Sequence, residues 1–85
     1  MGEQLIMSIN MKVRRVQETE IPGLSQRLKD ARGYKPLAQV ARDAGISRQA
    51  LRRFEAGMVE AIAYPTLKKL EQVLGVDFGV SFDND

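Results

Sequence analysis

The stretch that decides the fold is Val40–Gly57, "VARDAGISRQALRRFEAG". It reads as two helices joined by a short turn. Val40, Ala41 and Ala44 continue an apolar stripe that starts at Leu37, at helical spacing. Gly45 ends that helix, because the turn favours a positive φ. Ser47 suits the N-cap of the next helix, where its hydroxyl can accept from a free backbone N–H. That helix spans about Arg48 to Ala56, turns Leu51 and Phe54 inward, and stops at Gly57. Helices joined by so short a turn cross at a large angle. The crossing has room for only a small side chain, which Ala41 supplies. The apolar positions then hold the second helix outward, with Arg48, Gln49, Arg52 and Arg53 along it.

Outward from this core, Leu24, Leu28 and Ala31 predict a helix over about 24–32, closed by Gly33. After the link at Tyr34 and Lys35, Pro36 fits the first turn of the helix carrying Leu37, where its missing N–H costs nothing. "MVEAIAY" reads as an irregular loop. Pro65 then opens a fourth helix with Leu67, Leu70, Val73 and Leu74 inward, ended by Gly75. At the N-terminal end, Ile9, Met11 and Val13 alternate and predict a strand over about 9–16. "ETEIPG" reads as a break leading into the first helix. At the C-terminal end, Val76, Phe78, Val80 and Phe82 alternate with Asp77, Gly79 and Ser81, which predicts a half-buried strand over about 76–82. "DND" is expected as a solvated tail. The fold class is therefore mainly α: four helices over about 23–75 with short N- and C-terminal strands. One strand alone is not stable, so the two are expected to pair. Pairing within one chain and exchange between two chains as a dimer ribbon both stay open, and the second is favoured.

The 85 residues fit one domain, 1–85. A chain this short buries a small share of its surface, and oligomerisation is one remedy. Cysteine and histidine are both absent. That removes disulfides, thiolate metal sites, the commonest metal ligand and the commonest general base. There is also no glycine-rich phosphate loop and no cluster of carboxylates beyond the tail. No catalytic residue, metal or cofactor is expected. No apolar run has the ~20 residues of a membrane span and no leader is visible, so a cytoplasmic, nucleoid-associated location is expected. Net charge is only +2, but residues 24–54 hold eight basic and two acidic side chains. The rest hold five basic and nine acidic. A basic segment between acidic flanks points to a polyanion partner.

"GISRQALRRFEAG", together with "LSQRLKDARG" before it and "TLKKLEQVLGV" after it, resembles the Cro and phage-repressor helix-turn-helix family, also called the xenobiotic-response-element type. The resemblance covers roughly residues 24–76. It implies a repressor-like domain that puts its third helix in the major groove of double-stranded DNA. It implies base contacts from Arg48, Gln49 and Arg53, since Arg suits guanine and Gln suits adenine in bidentate pairs. It implies phosphate contacts from Arg52 at the rim, from Ser47 and from Lys35. It also implies a structural brace between Arg32 and Glu55. Two positions depart from the family. Leu37 stands where a phosphate-clasping glutamine is frequent, and the loop after the third helix carries Glu60 and no Lys or Arg. Both weaken the grip on phosphate, so binding is expected to need a homodimer or a partner.

The function implied is a sequence-specific DNA-binding transcriptional regulator, most simply a dimeric repressor. Two alternatives remain. One is an antitoxin that binds a toxin through its terminal segments and represses its own operon. The other is a protein-interaction module on a helix-turn-helix core that no longer binds DNA.

Overall fold

Hydrophobic residues from both halves of the chain converge on a single core. The computed structural model describes residues 11–14, 18–80 and 82. In chain order the elements are β1 (Met11–Arg14), β2 (Glu18–Ile21), α1 (Leu24–Arg32), α2 (Leu37–Asp43), α3 (Arg48–Ala56), β3 (Ala61–Ala63) and α4 (Tyr64–Leu74). The four helices lie where the apolar spacing puts them. Leu24, Leu28, Val40, Ala41, Leu51, Leu67, Leu70 and Leu74 are buried together, with Ala31, Leu37, Phe54 and Val73 packed around them. Pro36 stands one place earlier than expected, as the N-cap of α2 in extended conformation.

The sheet differs from the one expected. Its order is β2-β1-β3, with β1 antiparallel to β2 and parallel to β3. The N-terminal strand is present over 11–14, while residues 9, 10, 15 and 16 lie outside the described residues. Its partners are "ETEI", read from sequence as a break, and "AIA", read as loop. Met11, Val13, Ile21 and Ile62 turn inward to the helices. On the outer face Arg14 donates to Glu18 at 2.8 Å, and Lys12 stands 3.8 Å from the same carboxylate. β1 is paired on both sides within the chain, and the Lys12 N–H donates to the Glu60 carbonyl at 2.7 Å.

The expected strand over 76–82 is not formed. Residues 76–80 take no strand pairing, and 81 and the tail at 83–85 lie outside the described residues. The reason is local. Gly79 has φ +75°, which breaks the extended run. Its N–H is taken by the Asp77 carboxylate at 2.7 Å, an Asx-type turn. The Phe78 N–H, which a ladder would need, goes instead to the Glu71 carboxylate at 2.8 Å. The segment is a strap, not a strand. Phe78 and Phe82 are buried as the alternation implies, while Val76 and Val80 are half-buried. The Arg27 guanidinium lies over the Phe78 ring, 5.4 Å from its centre. Tyr64 meets Phe82 edge-on at 5.2 Å.

Two polar contacts fix the packing. Glu71 is only 6% exposed, and its second oxygen is 3.0 Å from the Lys68 ammonium, which the contact holds above its ordinary pKa. Between α1 and α3, Arg32 donates Nε–H to one oxygen of Glu55 at 2.7 Å and Nη2–H to the other at 2.9 Å. Its Nη1–H goes to the Lys35 carbonyl at 2.9 Å. The hydrogen bonds that Arg32 donates to Glu55 hold the guanidinium above its ordinary pKa.

Two predictions follow from these contacts. Glu71→Leu leaves the Phe78 N–H without its acceptor and should cost about 1–3 kcal/mol. Glu71→Gln keeps an acceptor oxygen and should cost clearly less, and urea unfolding of both variants compares them. Arg32→Leu strands a nearly buried carboxylate and should cost about 3 kcal/mol. The double variant Arg32→Leu/Glu55→Leu should recover most of that loss. A double variant as unstable as the single would show that the ion pair is not what joins α1 to α3.

Candidate nucleic-acid interface

α3 is made to stand out from the core. Its N-terminus is capped by Ser47, whose Oγ accepts from the Ala50 N–H at 3.0 Å. Before it, Gly45 takes φ +76°. This lets the Ile46 N–H reach back to the Ala41 carbonyl at 2.9 Å. The turn is therefore closed by backbone bonds, and Ala41, 1% exposed, sits at the crossing of α2 and α3. Leu51 anchors the inner face of α3 at full burial and Phe54 supports it. Both α1 and α2 pack against α3.

The outer face carries Arg48, Gln49, Arg52, Arg53 and Ala56, all exposed. At helical spacing, Arg48, Arg52 and Ala56 form one row and Gln49 and Arg53 the next. Among the described residues no hydrogen bond or ion pair engages the side chains of Arg48, Gln49, Arg52 or Arg53. Ser47, Arg48, Gln49 and Arg52 line one concavity of about 500 Å³ at the start of α3. The Ser47 hydroxyl accepts a hydrogen bond as a cap, and its own proton stays available to an acceptor. Arg53 lies a turn along from Gln49, outside that concavity. Lys35 is elsewhere, lining a separate hollow with Pro36, Gln39, Val40, Asp43 and Val73.

Arg32 and Glu55 meet beneath this face, with side chains 19% and 7% exposed. Their charges are spent on each other, so neither competes with the exposed arginines. Arg14 is paired with Glu18, which also lies near Lys12, and the Arg27 guanidinium stands over the Phe78 ring. Within residues 24–54 the cations with no side-chain partner among the described residues are Lys29, Lys35, Arg42, Arg48, Arg52 and Arg53, and three of them stand together on α3.

One residue of this margin escaped sequence reasoning. Lys29 of α1 lines a shallow hollow of about 160 Å³ together with Arg52, Glu55 and Ala56 of α3. The signal was present in outline. Arg32 matches Glu55, and one turn back on each helix stand Lys29 and Arg52. In the sequence, however, Lys29 is one of many exposed helix charges. Among the described residues no helix is long and apolar enough to cross a membrane.

Comparison with known proteins agrees with this geometry. No curated protein matches the chain. A family model described as helix-turn-helix matches residues 24–80, from the first residue of α1 to the strap behind α4. That span is well over half of the chain. It includes the capped turn, the outward α3 and the helices that brace it. The chain belongs to the helix-turn-helix family of the Cro and phage-repressor type, a family of DNA-binding domains found in transcriptional regulators.

Proposed function

We propose that the protein is a dimeric repressor that reads a specific duplex sequence with α3. The observation that carries this is the outer face of α3: four long polar side chains, exposed and unengaged by the described residues, on a helix held at both ends and underneath. Fixing the helix that carries them in advance reduces the entropy lost on binding. Arg48, Gln49 and Arg53 are the base-reading residues. Arg48 and Arg53 suit the paired acceptors of guanine, and Gln49 suits adenine. Ser47 and Arg52 hold phosphate beside them, and Lys35 holds a phosphate near the start of α2.

The dimer is part of the same proposal. A single α3 spans too few base pairs to select one site among many, and the loop after α3 brings no Lys or Arg to the backbone. Two copies reading half-sites about one helical turn apart, ~34–36 Å, overcome both shortages.

Selection of binding sites from a random duplex pool, with sedimentation of the complex, tests the proposal. The expected result is an inverted repeat bound by two chains. Enrichment of no sequence at low salt would sink it. Arg48→Ala should weaken binding to the selected site by about 1–3 kcal/mol and relax the preference at one base pair per half-site. Fluorescence anisotropy across a salt series should give a log–log slope near −0.9 for each phosphate neutralised.

A further inference from the structure

Arg52 lines two hollows. One is shared with Ser47, Arg48 and Gln49, the other with Lys29, Glu55 and Ala56. The cationic strip on α3 therefore does not end at its own flank. It continues across the junction onto α1.

The second hollow has an unusual charge balance. Glu55 is its only acidic lining residue, and both its oxygens are taken by the Arg32 guanidinium. What remains open are two cations, Lys29 and Arg52, both exposed and neither engaged by a partner among the described residues. Two like charges facing one hollow repel each other, while Arg32 and Glu55 behind them are paired. An anion placed between Lys29 and Arg52 removes that repulsion. Such an anion would border the outer face of α3, since Arg52 lines both hollows.

We propose that Lys29 of α1 and Arg52 of α3 together grip one DNA backbone phosphate on the flank of the sequence read by α3. The proposal rests on the reading of α3 as a major-groove helix and adds α1 to the DNA-contacting surface. It also offsets the loss of grip at the loop after α3. A bare alternative is that Lys29, in the last turn of α1, only complements the dipole of that helix. That role involves no DNA.

The test compares the full chain with Lys29→Gln, Lys29→Arg, Arg52→Gln and the double variant Lys29→Gln/Arg52→Gln. Each is titrated with the duplex selected by the wild type and with a scrambled duplex over a salt series. Lys29→Gln should weaken both duplexes by the same factor, roughly three- to tenfold at low salt, and make the salt slope shallower by roughly 0.9. Lys29→Arg should keep the slope. The double variant should lose less than the product of the two single losses, because both cations serve one phosphate. Since Lys29 is exposed, its melting temperature should match the wild type, which separates contact from folding. Unchanged affinity and slope in Lys29→Gln would overturn the proposal and leave the function intact. Independent, multiplicative losses would overturn the shared phosphate. A wild type that selects no duplex would overturn the function and this inference with it.

Discussion

The fork between Arg32 and Glu55 is the contact on which the rest depends. A surface made of long, flexible side chains is only as precise as the helix beneath it. Leu51 and Phe54 press α3 against the core, but apolar contacts permit sliding and rotation. A bidentate guanidinium–carboxylate pair does not, because both partners are planar and directional. One fork fixes α3 relative to α1, and the remaining N–H of the same guanidinium ties down the link into α2. Three elements are thus registered by one side chain, and the pair is shielded enough to resist screening by salt.

The same economy of charge recurs elsewhere. Glu18 pairs with Arg14 and lies near Lys12, Glu71 accepts from the amide of the strap and pairs with Lys68, and the Phe78 ring sits under Arg27. Each of these contacts holds a charged side chain in place. Of the cations left open, Arg48, Arg52 and Arg53 stand together on one helix, while Lys29, Lys35, Arg42 and Lys69 are spread over the others and the links. A net charge of +2 conceals this, since it sums groups that are paired with groups that are not.

The helical core was legible because its signals are local and stereochemical. Gly45 demands a positive φ, Ser47 a free amide, and Ala41 a close crossing, and each leaves a residue-type mark. The Arg32–Glu55 contact could be anticipated only through family resemblance. The sheet was less legible. Alternation at Phe78 and Phe82 reports burial on one side, which the strap shares with a strand, but it does not report where the amide hydrogens go. Glu18 and Glu20 disguised β2, since acidic side chains are poor strand markers and here face outward against Lys12 and Arg14. β3 is three residues long, too short for any period to emerge. Lys29 and Glu71 look like ordinary helix charges until α3 and the strap are placed beside them.

The position of β1 has a consequence for how the chain assembles. β1 lies in the middle of the sheet, hydrogen-bonded on one side to its hairpin partner and on the other to Ala61–Ala63, just past α3. The hairpin can close early, since its strands are neighbours in sequence. The parallel pairing to β3 cannot, because α1, α2 and α3 all lie within the loop it closes. Closing so long a loop costs chain entropy that only an assembled helical core repays. Topology therefore places the third strand late in folding. When it forms, it fastens Lys12–Arg14 to the segment just past α3, so a chain folded only as far as its helices would have α3 formed but its far end untethered.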